Sequence, residues 1–139
     1  MIDFETLKKL IDTGESVCLK VNGNSMRPFL NDNSDSVVVK SIDRRLRKGD
    51  IIFYNRFDAV VVMHRIVKIK DDKMWLCGDA QSTLEGPLDV SKAFAMVCSV
   101  IHNEKIYDAN SAYFRIYSKL WCRILSIRPY LIKKDFRHC

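Results

Sequence analysis

The sequence has no Cys-x-x-Cys pair. Its five cysteines (Cys18, Cys77, Cys98, Cys122 and Cys139) are odd in number and irregularly spaced. That excludes a thioredoxin-type motif and a zinc ribbon, and leaves reduced thiols of the kind a cytosolic protein buries. No apolar run approaches the roughly 20 residues of a membrane-spanning helix. The longest, at 59–63 and 93–101, are strand-sized. The opening MIDFETLKKL has neither the basic start nor the apolar stretch of a secretory signal. A cytoplasmic or peripheral membrane location is therefore expected. Acidic residues are almost missing after residue 110: Asp135 stands alone against Arg115, Lys119, Arg123, Arg128, Lys133, Lys134 and Arg137. The net charge of +6 therefore belongs to the tail, because the first 110 residues are balanced.

The chain that remains is 139 residues long and 47% hydrophobic, enough for one domain with a real core. Phe4, Leu7, Leu10 and Ile11 have helical spacing, with Asp3 as N-cap and Gly14 as stop. Short β runs then follow one another: SVCLKVNG, SVVVKSI, DIIFYNR, AVVVMHRIVKI, MWLC and AMVCSVI. A turn near Phe57–Asp58 joins the third to the fourth, and Gly86 and Pro87 read as a loop. No long helix separates the strands, which disfavours a parallel βαβ sheet. The expectation is a mainly β protein, with a coiled, partly antiparallel body between a short N-terminal helix and a C-terminal amphipathic helix. Its expected divisions are 1–14 for the first helix, 15–108 for the β domain and 109–139 for the basic helix and tail.

Chemistry is suggested by residues that interrupt the β runs. In VNGNSMRPFL a strand ends in Gly23, Asn24, Ser25, Met26, Arg27 and Pro28. Such a corner exposes a hydroxyl and leaves the Ser25 and Met26 N–H groups outside the sheet, as a nucleophile and an oxyanion site require. Gly-Asn-Ser is equally ordinary turn chemistry. His64 breaks a β-branched run. Alternation puts it on the face of Val60 and Val62, with Val61, Met63 and Arg65 opposite. An isolated strand histidine is more often a satisfied half-buried residue, and Arg65 reads as a surface or ion-pairing residue. His102 and His138 read as surface residues. Asp79 follows a strand at Gly78, where turn capping is the commoner role, and Glu85 lies six residues on in a loop.

Taken in order, GNSMRP, KGDIIFY, VMHRIV and CGDAQ form a series spanning about residues 15–101. The series resembles the signal peptidase I and LexA-like serine protease superfamily. Where many members place a lysine base, this chain has Met63-His64-Arg65. That is similar to the archaeal and endoplasmic-reticulum signal peptidases, without their transmembrane anchor. The resemblance implies a serine endopeptidase that cleaves a leader- or signal-type peptide, with Ser25 as nucleophile and His64 as general base. It implies that Asp79 or Glu85 orients His64, without choosing between them, and that Asn24 and Met26 meet the substrate. No cofactor and no metal is implied. The alternative is a non-catalytic or self-acting peptide-binding module of the same fold.

The expected partner is a polypeptide. No segment before the first strand is long enough for a separate DNA-reading domain, so nucleic acid is not expected. Residues 111–128 set Phe114, Tyr117, Leu120, Trp121, Ile124 and Leu125 among Arg115, Lys119 and Arg123, with Asn110 or Ser111 as cap and Pro129 as stop. This helix either lies in a membrane interface as a peripheral contact or packs on its own domain, the commoner outcome.

Overall fold

The computed structural model describes residues 3–57 and 60–128. Asp58, Pro129 and the tail residues Lys133, Lys134, Asp135, Arg137, His138 and Cys139 lie outside them. The mainly β body with two helices is what the chain forms. The first helix, α1 (Phe4–Asp12), starts where the Asp3 side chain accepts from the Thr6 N–H at 2.9 Å. It ends at Thr13 and Gly14, the latter at φ +84°, and buries Leu7 and Ile11.

Eight strands follow: β1 (Val17–Lys20), β2 (Ser36–Lys40), β3 (Ile51–Arg56), β4 (Val60–Lys70), β5 (Lys73–Cys77), β6 (Glu85–Asp89), β7 (Ala93–His102) and β8 (Lys105–Asp108). All pairings are antiparallel. The order is β1-β2-β7-β3-β4-β5-β6, with β8 also on β7. Four pairs carry register shifts, and such bulges add the twist that coils a sheet onto itself.

Coiling explains the unbroken apolar run in β3. Ile51 and Phe53 enter a core with Leu7, Met26, Val37 and Phe114. Ile52 and Tyr54 enter a second core with Ile66, Met74 and Leu76. Both faces of the central strands are covered, so alternation of polar and apolar residues disappears. Two-residue turns at Asp71-Asp72 and Asn103-Glu104 have positive φ at both positions, which matches the twist of the strands they join.

Three local expectations are corrected. Gly86 and Pro87 are not in a loop but in the edge strand β6, where a missing N–H is tolerated on the outer side. Glu85 opens that same strand. Of the two readings of Arg65, surface or ion-pairing, the first is the one overturned: it is fully buried and paired with Asp79. The basic helix α2 (Ala112–Arg123) is capped by Ser111, whose Oγ accepts from the Phe114 N–H at 3.2 Å. A single 3-10 turn, Leu125–Ile127, follows it. One side of α2 packs on the body through Phe114, Ser118, Trp121 and Cys122. No helix of the described residues is long and apolar enough to cross a membrane.

Candidate active site

Ser25 lies in the turn after β1. Gly23, at φ +88°, bends the chain into it, and its N–H donates to Asp32 Oδ1 at 2.9 Å. The Met26 side chain is 1% exposed and packs in the core. It therefore anchors the turn and cannot meet a substrate; what residue 26 can offer is its backbone. Among the described residues the Ser25 and Met26 N–H groups donate to no protein acceptor, so both remain available to an oxyanion. The Asn24 side chain is exposed beside them.

The other half of the site comes from the β3–β4 hairpin and the loop after β5. His64 pairs with Ile52 across the hairpin and is 3% exposed. Ser25, His64 and Gln81 line one open cleft of about 480 Å³, together with the end of β1 (Leu19 to Asn22) and Val61 to Met63 of β4. Gly78 sits between Ser25 and His64. A Cβ there would lie 2.5 Å from the Ser25 carbonyl oxygen and 3.1 Å from His64 Nε2. The Ser25 carbonyl also accepts from the Ala80 N–H at 2.8 Å. Only a residue without a side chain lets these three segments meet so closely. No hydrogen bond joins Ser25 Oγ to His64.

Behind the imidazole, Tyr54 Oη lies 3.3 Å from His64 Nδ1 and donates to Glu85 Oε2 at 2.6 Å. A phenol has one proton to give. With it committed to Glu85, the Tyr54 oxygen faces His64 as an acceptor. Nδ1 is then the protonated nitrogen, and Nε2, the nitrogen beside Gly78, keeps its lone pair. Arg56 fastens the far side, with Nε to Glu85 Oε1 at 3.0 Å, Nη2 to Oε2 at 2.6 Å and Nη2 to Tyr54 Oη at 3.3 Å.

The electrostatics agree with this assignment. Burial first, and the Arg56 cation second, push His64 down to about 4, so its ring is neutral at pH 7. Burial pushes the Glu85 carboxyl up, but the hydrogen bonds from Arg56 and Tyr54 outweigh it, and Glu85 stays below its ordinary value. Burial and the Glu85 carboxylate hold the Tyr54 hydroxyl well above its ordinary value, so it keeps the proton it donates.

Neither acid touches His64 directly. Glu85 reaches it through Tyr54. Asp79 turns the other way, into a fully buried two-point ion pair with Arg65: Nε to Oδ1 at 2.8 Å and Nη2 to Oδ2 at 2.7 Å. Arg65 Nη1 donates to the Gly49 carbonyl at 3.1 Å and to Ser118 Oγ. Its guanidinium lies 4.9 Å from the Phe29 ring centre and 5.6 Å from those of Phe114 and Tyr117, positions that favour a cation over an aromatic face. Burial alone would depress the Arg65 pKa, yet the Asp79 carboxylate more than offsets it and the net direction is upward. From α2, Trp121 Nε1 donates to the Asp79 carbonyl at 2.7 Å. Arg128 donates to the Gly78 and Gln81 carbonyls, both at 3.2 Å.

Tyr54, Arg56 and Gln81 did not stand out in the sequence. Alternation along DIIFYNR does put Tyr54 and Arg56 on one face of β3, but only the hairpin register and the fold of β6 bring Glu85 to them. In comparisons with known proteins, the model of the family described as Peptidase S24-like matches residues 2–97. No curated protein matches the chain.

Proposed function

The chain belongs to the Peptidase S24-like family, and on that premise we propose that it is a serine endopeptidase that uses Ser25 and His64. The observation that carries this reading is the His64 tautomer imposed by Tyr54 and Glu85, which aims a lone pair toward the Ser25 turn. In the first step, His64 Nε2 takes the Ser25 hydroxyl proton while Oγ bonds to the substrate carbonyl carbon. The N–H groups of Ser25 and Met26 receive the developing oxyanion. The C–N bond then breaks, Nε2–H returns its proton to the leaving amine, and water repeats the sequence on the acyl-enzyme. Tyr54 and Glu85 orient the ring and stabilise the imidazolium as it forms. Arg65 and Asp79 hold the loop that approaches Ser25 and take no part in proton transfer.

The substrate is an extended polypeptide of leader or signal type. The cleft runs from the end of edge strand β1 to β4, and an edge strand offers backbone groups to a peptide laid beside it. Asn24, exposed next to Ser25 in the chain, is our candidate for a side chain that meets it. The missing hydrogen bond between Ser25 and His64 favours a second reading, a peptide-binding module that does not cut. Contacts of this kind often tighten only with substrate bound.

Labelling with a fluorophosphonate separates the two. Covalent mass on Ser25 that disappears in His64→Ala as well as in Ser25→Ala supports the peptidase. No label on folded wild-type protein leaves the binding module.

A further inference from the structure

Helix α2 buries one apolar face in the body, and on another only Tyr113 touches the body, its ring 4.9 Å from that of Tyr107, while Ile116 and Leu120 stay exposed. Phe114, Ser118 and Trp121 are buried, while Tyr113, Ile116 and Leu120 are 51%, 67% and 57% exposed. These three follow one another at intervals of three and four residues and so form one stripe. Ile127, 48% exposed, lies in the following turn. The helix contains no acidic residue.

Beside the stripe is a cationic depression of about 330 Å³, lined by Arg47, Lys48, Arg115, Lys119 and Arg123. Its one carboxylate, Asp50, is already occupied: Arg44 donates to it at 2.8 and 2.9 Å, and the Arg47 N–H at 2.9 Å. Among the described residues, Lys48, Arg115, Lys119 and Arg123 have no ion-pair partner. Four cations without an ion-pair partner among the described residues surround a concavity next to the exposed aliphatic side chains of Ile116 and Leu120, a mixed surface that the catalytic reading does not use.

We propose that this face of α2 is a docking surface for an anionic lipid bilayer. Cations at headgroup level above an inserted aliphatic stripe are the layering that an interfacial helix matches. Tyr113, half exposed with its ring against that of Tyr107, ends the stripe where the helix meets the body. Phosphates of a nucleic acid would answer the cations but give Ile116 and Leu120 nothing, since single strands are held by stacking on aromatic faces. The inference stands apart from the peptidase reading.

The test is sedimentation of the full chain with vesicles. Phosphatidylcholine alone is compared with phosphatidylcholine containing one quarter phosphatidylglycerol, at low and high salt. Ile116→Ser/Leu120→Ser and Arg115→Gln/Lys119→Gln are tested alongside wild type, with folding checked by circular dichroism. The expected result is binding to the anionic vesicles alone, weakened by salt and lowered at least about tenfold in each double variant. Absence of binding, or equal binding to phosphatidylcholine alone, overturns the proposal. So does a loss confined to the charge variant, and a DNA duplex that then displaces the protein would identify a polyanion site instead. Serine labelling of the same variants in solution reads the active site separately.

Discussion

His64 shows how an environment chooses a protonation state. Its ring is buried, bonded at Nδ1 and neutral, so the base role proposed for it does not depend on a pKa near 7. The acid limb of kcat/KM, which reports the free enzyme, is expected near pH 4. Arg56→Gln moves that limb upward, because it removes a repelling cation and releases Glu85 from its strongest partner; an unmoved limb would count against the contact. The two acids separate by a different pair of measurements. Glu85→Gln and Tyr54→Phe lower kcat about 10- to 100-fold with little effect on the urea midpoint, since they disturb the ring rather than the core. Asp79→Asn leaves Arg65 as an uncompensated buried cation and costs about 3–5 kcal/mol of stability. If Asp79→Asn lost activity at unchanged stability, Asp79 would be the orienting acid after all. Ser25 and His64 stood out in the sequence only through the order of four motifs and the family resemblance they carry, since singly each reads as a turn serine or a half-buried strand histidine. Tyr54 did not, because a tyrosine in a β run needs no explanation. The roles of Asp79 and Glu85 depend on which neighbour each carboxylate meets, and those neighbours are 14 and 29 residues away in the chain.

At the scale of elements, alternation along β4 does two jobs. It sends His64 to the cleft side and the next residue, Arg65, into the aromatic cage under α2. Active-site orientation and helix anchoring are therefore locked in one register, and a slip by one residue would exchange them. The alternation, the hairpin and both helices could be read from sequence. Strand β6 could not, because Gly86 and Pro87 are loop signals anywhere except at a sheet edge. The close approach at Gly78 was equally hidden: its neighbours Ser25 and His64 come from two other elements. Gly78→Ala tests that approach. A methyl group 2.5 Å from a backbone oxygen must displace the Ser25 turn. Serine labelling is expected to slow by about 100-fold or more while the chain stays folded, in keeping with the cost of a 1 Å misplacement. Unchanged labelling would show that the turn adjusts freely.

For the whole molecule, the His64 shift is also a stability term. Its folded pKa of about 4 lies below the unfolded value near 6.5. Unfolded chains therefore bind the proton first as pH falls. The contribution, on the order of 3 kcal/mol, is complete above about pH 6.5 and is lost as pH drops through about 4. Urea midpoints measured between pH 7 and 4 should fall more steeply for wild type than for His64→Gln, and parallel curves would refute the burial argument.

The ties from Ser118, Trp121 and Arg128 to Arg65, Gly78, Asp79 and Gln81 also have a meaning in time. During synthesis, β1 through β8, with Ser25 and His64 among them, leave the ribosome before α2 does. Until that helix docks, Arg65 lacks part of its cage and the Gly78–Asp79 loop lacks its clamp. Ser25 and His64 are thus made early, but the loop packed against the Ser25 turn is clamped only when α2 docks, so the arrangement proposed for catalysis is secured by an element made after it.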